Sequence, residues 1–371
     1  MGWALAQISD GVQSVYIWLL GLAFVLFMRE KWSTINLESG GSMNLNKCTL
    51  IAGSVLLSLG SGVNAEESAT VALTEYGQPD IQGVWFYGTN TPYERPIALG
   101  DKQIYTDAEA EELIQALFDA DKEKALPLSS DREAPQAGTA IAQEADHNFA
   151  SARTNLIKIE DKYRTSQITS PANGRLPIKA GGRDIFSKWL AEGHGAFDGP
   201  EIRPASERCV GPNGGPMAPM VDWFYNANMQ IVQTEDYFVL LAEMNHDARI
   251  IPISGQQGIA NYPQWMGNSQ GHWEGDTLIV ETTDFRAEQS WFAFVMSDQL
   301  QVTERFKLTS SNEILYTYTF YDPQIYTEAV TVEKTIARRA PGEQVFEYGC
   351  HEGNYSIPGI LAGARRQEQL N

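Results

Sequence analysis

The 371-residue chain is poor in cysteine, histidine and basic residues, and each shortage argues against a class of function. It contains 3 Cys and 5 His, without the His-x-His or His-x-x-x-His spacing that is typical of metal sites. With 27 basic and 47 acidic residues its net charge is −20. A surface this acidic repels nucleic acid and anionic lipid. We therefore exclude nucleic acid as a partner.

Two families of catalytic loops are not predicted either. The run GPNGGP at 211–216 contains two prolines and precedes no predicted helix, so it does not indicate a phosphate-binding loop. A Ser-His-Asp hydrolase needs a serine on a strand–turn–helix elbow, and the strand-rich pattern described below does not fit that elbow.

The first apolar run, residues 15–28, is short for a bilayer span, which needs roughly 20 apolar residues, and Arg29 and Lys31 follow it. Two interpretations stay open. Residues 1–42 are an over-extended start before translation at Met43, or they are a membrane anchor whose basic flank stays cytoplasmic. Both place residues 66 onward on the far side of the membrane.

Residues 43–65 have the features of a secretory signal peptide. Lys47 lies in a short polar start, an apolar run covers 49–59, and small residues end at Ala65. Cys48 lacks the Leu-x-x-Cys setting of a lipid-modified cysteine, so a soluble product is predicted. Cleavage removes three basic and three acidic residues and leaves the net charge at −20.

The cleaved chain keeps only Cys209 and Cys350. An even pair in an oxidising compartment predicts a disulfide. Such a bond argues against a Cys350–His351 nucleophile, because the reactive form of cysteine is the free thiolate. It would also place Arg208 and the Gly/Pro-rich loop beside His351.

The predicted elements divide the cleaved chain at residue 227. Residues 66–227 contain one strand near Val84, a helix from the N-cap Thr106 to about Ala125, an irregular stretch at 127–150 and a short helix at 184–193. Residues 228–371 run from strand to strand. We predict one domain over residues 66–371.

The C-terminal strands follow one another as hairpins with period-two patterning. The predicted strands lie in 229–244, 248–253, 271–285 with a two-residue turn at Gly275-Asp276, 300–323 with a turn at 310–312, 329–339 and 344–350. With the strand at Val84 there are about ten. The fold class is therefore predicted to be mainly β: an antiparallel meander that closes into a barrel, with an N-terminal helix and long capping loops.

Several ordered motifs resemble those of a large family of secreted bacterial proteins with Gly-x-Trp, RWEGDTLVVET-like and CHEGNY signatures. They are DIQGVW, TPYERP, MNHDARIIPI, GHWEGDTLIVETTDF, CHEGNY and ILAGAR, within residues 76–366. The resemblance implies a periplasmic or extracellular bacterial protein and assigns no catalytic residue. His272 departs from the Gly-Arg-Trp-Glu-Gly-Asp of that family, which weakens a chemical role for it. Gly83-Val84-Trp85 also resembles the Gly-x-Trp of lipocalins, which implies a lipocalin-like barrel around a cavity.

Two histidines with acidic neighbours are the candidate catalytic groups. Successive strand residues face opposite sides, so only one of His246 and Asp247, and one of His351 and Glu352, can point into a barrel. We predict that both imidazoles point inward and act as acid and base, oriented by the carboxylates. The alternative is structural: Asp247 pairs with Arg249, and Glu352 caps backbone amides. A metal held by both histidines and one carboxylate is a further option, but no metal or cofactor is predicted.

The sequence thus predicts an exported barrel that holds a small, largely apolar or aromatic molecule. The predicted ligand-binding residues are Arg208, Tyr225, Asn226, Asn228, Glu243, Arg249, Asn354 and Tyr355. The first hypothesis is cofactor-independent acid–base catalysis of the lyase, isomerase or hydrolase type. The second is a non-catalytic carrier or sensor, and the third a structural envelope protein. Whether the protein is an enzyme stays open at this point, as does its oligomeric state; the mature chain is predicted to have no stable membrane span.

Overall fold

The computed structural model describes residues 71–124, 126, 131, 155–184, 191–205, 207–210, 218–222, 226–253, 262–287 and 294–370. These residues belong to one compact unit, Ala69–Asn371. The predicted signal peptide, the apolar run before it, most of the irregular stretch at 127–150 and most of the helix predicted at 184–193 lie outside them. Those predictions, and the domain boundary at residue 66, remain predictions.

Two α-helices, three short 3₁₀ helices and twelve strands have their bounds within the described residues, and the α-helices and strands are labelled here. In chain order they are β1 (Gly83–Phe86), α1 (Asp107–Lys124), β2 (Lys158–Ile159), β3 (Lys162–Tyr163), β4 (Ile168–Ser170), β5 (Asn228–Gln233), β6 (Tyr237–Ala242), β7 (Ala248–Pro252), β8 (Asn268–Glu274), β9 (Thr277–Thr283), β10 (Gln301–Ser310), β11 (Glu313–Tyr321), β12 (Val330–Arg338) and α2 (Ser356–Glu368).

Nine of the strands form a nearly closed antiparallel barrel. Their order is β7-β6-β5-β1-β12-β11-β10-β9-β8, and β4 adds to the beginning of β12. The edge strands β7 and β8 meet through a parallel bridge between Ile253 and Gly271. The predicted mainly β, antiparallel barrel is therefore confirmed.

Strand β1 joins two meanders that the sequence presents separately. It pairs with β5 on one side and with β12 on the other, through Trp85↔Met229 and Phe86↔Ala337. Trp85 is fully buried, and its indole Nε1 donates to Ile81 O at 3.0 Å. The Arg338 guanidinium covers its ring at 4.1 Å. A Cβ at Gly83, whose φ is +129°, would meet Arg338 Nη1 at 2.5 Å, so the Gly-x-Trp motif serves this packing.

The strands β8 to β12 confirm the hairpin predictions. Glu274 pairs with Thr277 across the two-residue turn, in which Gly275 has a φ of +61°. On β10 and β11 every second residue is buried, and the buried face lines the barrel interior.

An aromatic row crosses that interior. The centroid of Phe306 lies 5.5 Å from Phe238 and 4.9 Å from Tyr316. From Tyr316 the row continues to Tyr318 at 5.2 Å and then to Phe320 at 6.2 Å. Phe294 and Tyr326 pack against Phe320 edge-on, at 4.9 and 5.2 Å. Such rings supply much of the buried apolar area of a core.

Helix α1 begins as predicted. Thr106 and Glu109 form a capping box: the Glu109 carboxylate accepts from the Thr106 N–H at 2.8 Å, and the Thr106 hydroxyl accepts from the Glu109 N–H at 3.3 Å. In the described part of the chain, no helix has the length and apolarity needed to cross a membrane.

The C-terminal region differs from the prediction. Residues 344–350 are not a strand, because β12 already has partners on both sides and offers no edge there. Helix α2 follows and was not predicted. It has no buried residue, and Arg365 holds it by donating to the carbonyls of Phe197 and Asp198 at 3.0 and 3.3 Å.

Candidate functional site

The two predicted catalytic histidines lie outside the barrel. Both His246 and His351 are exposed to solvent. His246 ends the 3₁₀ turn Met244–His246, where positive φ values at Asn245 and His246 turn the chain away from the strand direction. His351 lies in the turn before α2. The prediction that both imidazoles face a common interior is therefore wrong, because neither residue lies in a strand and the alternation of strand side chains does not apply.

Of the two carboxylates next to these histidines, Asp247 is half-buried and Glu352 is exposed. Burial raises the pKa of Asp247 from 3.8 to about 6, and the neighbouring His246 opposes that rise. The predicted Asp247–Arg249 pairing is not found, since the Arg249 guanidinium binds Glu304 instead.

Asp247→Asn should stabilise the protein above pH 6 and leave its stability near pH 4 unchanged. The raised pKa means that the folded state favours the protonated carboxyl of Asp247. The contribution of this carboxyl to the free energy of unfolding is therefore complete below pH 4 and is lost as the pH rises through about 6. Ionisation then costs the folded state on the order of 1 kcal/mol, allowing for solvent around a half-buried group.

Urea unfolding at five pH values between 4 and 8 measures this difference. Glu352→Gln, at an exposed carboxylate, is the matched control and should show no such pH dependence. A stability difference for Asp247→Asn that is the same at all five pH values would refute the assignment.

The predicted disulfide is present. Cys209 and Cys350 are bonded, with their Cα atoms 5.8 Å apart. Asn354 supports the bridge, because its side-chain amide donates to Glu207 O at 3.1 Å and contacts Cys209 Sγ at 3.3 Å. Tyr355 is 81 % exposed. Of the predicted ligand-binding residues, Asn354 and Tyr355 thus belong to a surface segment and not to the barrel interior.

Arg208, next to the disulfide, stacks on an aromatic ring. Its guanidinium lies 5.7 Å from the Trp265 centroid, and that of Arg286 lies 4.4 Å from the same ring. Arg208 also donates to Glu201 O at 3.4 Å. Its predicted role towards an interior ligand has no support from these contacts, which are those of a surface residue.

Three of the predicted ligand-binding residues do come together. Glu243, 3 % exposed, accepts from the side-chain amides of Asn226 and Asn228 at 2.8 and 3.2 Å. The Phe346 N–H adds a third bond at 3.2 Å, which fixes the C-terminal segment against the turn after β6. This carboxylate is thus occupied by the protein itself. Tyr225 lies outside the described residues.

Arg249, also predicted from the sequence, anchors a buried polar network inside the barrel. Its guanidinium binds both carboxylate oxygens of Glu304, one of them at 3.1 Å. It also donates to the hydroxyls of Ser269 and Thr282, each at 2.9 Å. The Tyr316 hydroxyl donates to Glu304 at 2.6 Å. The side chains of Arg249 and Glu304 are 3 % and 0 % exposed, and their opposite charges neutralise each other within the network.

Ser269 is the central residue of a Gly-x-Ser-x-Gly run, Gly267 to Gly271. It lies within β8 and is not on a strand-to-helix elbow. Its hydroxyl is bonded to Arg249 and, at 3.0 Å, to Thr282. The run therefore serves the Arg249 network and provides no hydrolase nucleophile.

A second buried ion pair joins β12 to the segment before β5. Lys334 Nζ lies 2.6 Å from Asp222 Oδ1 and donates to Tyr87 O at 3.3 Å. The Gln167 amide binds the other oxygen of Asp222 at 2.5 Å and also donates to Thr91 O. Both oxygens of this carboxylate are therefore engaged, and the charge of the fully buried lysine is neutralised.

Two buried tyrosine hydroxyls next to this pair have no partner other than each other. The Tyr93 and Tyr318 hydroxyls interact with each other, and the Asp222 carboxylate raises the pKa of both. Neither hydroxyl has any other hydrogen-bond partner, and Gln167 Oε1 has none. Tyr318 is 0 % exposed. We call Tyr93, Gln167, Asp222, Tyr318 and Lys334 the phenol cluster.

The sequence contains a sign of both buried ion pairs. Glu304 and Lys334 occupy the apolar phase of their strands, between Val302 and Phe306 and between Val332 and Ile336. A charged residue in the buried phase requires an interior partner. Tyr93 and Asp222, in contrast, lie in irregular segments and give no comparable pattern.

The metal option has no geometric support in the described residues, where no three His, Cys, Asp or Glu side chains are grouped as metal ligands. Comparison with known proteins adds no assignment. No protein-family model matches the chain, and no curated protein matches it.

Proposed function

We propose that the protein is an exported, lipocalin-like barrel that holds a small, largely apolar or aromatic molecule next to the phenol cluster, as a carrier or sensor. The observation that carries this proposal is the pair of buried phenol hydroxyls, Tyr93 and Tyr318, that have no partner other than each other. When two hydroxyls pair, only one donates to the other, so one O–H is left without an acceptor. A buried donor without an acceptor costs about 1 to 3 kcal/mol, and a bound ligand would supply the missing partner. The resemblance to secreted bacterial proteins, and that of Gly83-Val84-Trp85 to lipocalins, supports the same function.

The surroundings of the hydroxyls support an apolar occupant. Tyr318 lies in the aromatic row between Tyr316 and Phe320, and Tyr93 contributes to the raised pKa of Tyr326. Ligand sites of this kind combine apolar and aromatic walls with a few polar groups.

The positions of the two histidines favour a binding function over a catalytic one. The exposed imidazoles of His246 and His351 cannot exchange protons with a molecule held in the interior. The buried carboxylates are engaged within the protein: Glu304 and Asp222 with basic side chains, Glu243 with two asparagine amides, and Asp322 with the hydroxyl and N–H of Ser297.

Export to the periplasm or the outside is part of the proposal. The Cys209–Cys350 disulfide supports it, since such bonds persist in oxidising compartments. The signal peptide predicted at 43–65 would deliver the chain there.

Native mass spectrometry of the protein purified from the cells that make it tests the proposal. We expect a second species heavier than the polypeptide, and we expect the mass difference to disappear under denaturing conditions. Recovery of the added mass as an unaltered small organic molecule supports a carrier. Only the polypeptide mass, across several preparations, would count against the proposal.

A further inference from the structure

We propose that Glu243, Asn226 and Asn228 form a binding site for a primary ammonium group, and that the segment 340–349 covers this site until a ligand displaces it. We call residues 340–349 the strap. The site shares no residue with the phenol cluster, so the inference goes beyond the proposed function. It follows from three observations: a buried charge without a countercharge, a buried acceptor without a donor, and a cover that is weakly held.

Glu243 is a buried carboxylate to which only uncharged groups are bonded. It is 3 % exposed and accepts from the side-chain amides of Asn226 and Asn228 and from the N–H of Phe346. No basic side chain in the described part of the chain forms an ion pair with it. The carboxylates of the two buried ion pairs, in contrast, are neutralised. A buried charge is costly unless a countercharge pairs with it, so Glu243 favours a cationic ligand.

Asn228 provides a second acceptor next to this carboxylate. Its Nδ2 donates to Glu243 Oε2 at 3.2 Å, whereas its Oδ1 is buried and has no hydrogen-bond partner. The Glu243 N–H donates to the backbone carbonyl of Asn228 at 2.9 Å, which holds the two residues together. A primary ammonium group has three N–H donors and no acceptor. It can therefore bind the carboxylate and the unpartnered oxygen at the same time.

The strap covers the site and is held there loosely. None of its residues is buried, and Phe346 is 63 % exposed. Its bond to the site is the one from the Phe346 N–H to Glu243 Oε2, at 3.2 Å. Asn226 and Asn228 are half-buried, so the site lies near the surface and needs no cavity in the barrel interior. Segments with few buried contacts open locally at a low cost in free energy. An ammonium ion brings the charge that the Phe346 N–H lacks and can replace it.

Three small probes of similar size separate charge from donor capacity. Butylammonium has a charge and three N–H donors, 1-butanol has one donor and no charge, and butyltrimethylammonium has a charge and no donor. We expect butylammonium to bind at least about tenfold more tightly than either of the others, because a site built for hydrogen bonds rejects analogues that lack them. Equilibrium dialysis at pH 7 in about 0.15 M salt measures the affinities, and this salt screens unspecific attraction to the net charge of −20.

Amide hydrogen exchange measures the displacement of the strap. The Phe346 N–H loses its acceptor when the ligand takes its place, so its exchange should become faster at saturating butylammonium. The Ile253 N–H, which donates to Asp236 O at the far end of β7, is the control and should exchange at an unchanged rate.

The disulfide holds one end of the strap, since Cys350 follows it directly. Cys209→Ala/Cys350→Ala should therefore raise the affinity for butylammonium at least about threefold, because the site is then uncovered for a larger fraction of the time.

Variants connect the preference to the carboxylate. Glu243→Gln removes the charge at nearly the same shape and should abolish the preference for butylammonium. Glu347→Gln, at an exposed carboxylate of the strap, is the matched control and should change the affinity less than about twofold. Near-UV circular dichroism checks that both variants are folded. If Glu243→Gln does not fold, the three probes and the exchange of Phe346 decide the question on the wild type.

Several results would overturn the inference. Equal affinities for the three probes, or a preference for butylammonium that survives in Glu243→Gln, would show that Glu243 does not bind an ammonium group. Binding without faster exchange at Phe346, or a lower affinity in the disulfide-free variant, would show that the strap does not cover the site. None of these results would affect the proposed function, which depends on the phenol cluster.

Discussion

Arg249→Met should lower the free energy of unfolding by about 3 to 5 kcal/mol, because it leaves the carboxylate of Glu304 buried without its countercharge. Glu304 is 0 % exposed, and its remaining side-chain partner is the Tyr316 hydroxyl at 2.6 Å. Urea unfolding at pH 7 measures the loss. Methionine keeps much of the side-chain volume, so the effect reports the charge and its hydrogen bonds.

A double variant separates the lost partner from the lost packing. Arg249→Met/Glu304→Leu should recover most of the stability, since removal of both charges replaces the ion pair by apolar groups. Arg305→Met, at the exposed neighbouring position of β10, should change stability by less than about 0.5 kcal/mol. If the double variant is as unstable as Arg249→Met alone, the pairing of Arg249 with Glu304 does not explain the loss of stability in the single variant.

Cys209→Ala/Cys350→Ala should destabilise the protein by up to about 5 kcal/mol. The disulfide connects residues 141 positions apart, and the chain-entropy model gives about 5 kcal/mol for a loop of that length. The contacts between the segment before α2 and the residues around Glu207 should loosen together with it. Unfolding in urea, with hydrogen exchange of residues 350–366, measures both effects.

Reduction of the wild-type protein is the internal control for this prediction. A reducing agent should lower the wild-type stability to that of the double variant and should not affect the variant itself. A stable, fully protected C-terminal segment in the double variant would contradict the role given to the bridge.

Local sequence patterns were sufficient to predict the hairpins. The period-two alternation on β10 and β11, and the Gly275-Asp276 turn, depend only on neighbours in the chain. The position of β1 in the sheet, in contrast, could not be predicted from local patterns. Its insertion between β5 and β12 depends on pairings more than 140 residues away, such as that of Trp85 with Met229, for which a single sequence contains no pattern.

The C-terminal helix was missed because its sequence is a poor helix former in isolation. Helix α2 contains Pro358, Gly359 and Gly363. The preceding residues 344–350 alternate like a strand, yet no barrel edge is available to them. In both cases the tertiary surroundings, and not the local preference, decide the conformation.

The candidate site shows the same limit. Residue type suggested His246 and His351, but their direction depends on a turn with positive φ and on a loop outside the barrel. Arg249, predicted as a ligand-binding residue, lies in the interior, and its partner is Glu304 on another strand and not its near neighbour Asp247. Tyr93 and Tyr318 could not be recognised from sequence, since nothing in it indicates that two ordinary tyrosines meet.

The most direct test of the central claim is the free energy of unfolding of Tyr93→Phe/Tyr318→Phe without ligand, compared with the wild type. If the two hydroxyls are kept for a ligand and have no partner in the protein other than each other, the double variant should be as stable as the wild type or more stable, by up to about 1 kcal/mol for each hydroxyl, because both partners are removed together. A loss of more than about 1 kcal/mol for each hydroxyl would show that both are bonded to other groups in the unliganded protein, and the account of the phenol cluster would be wrong.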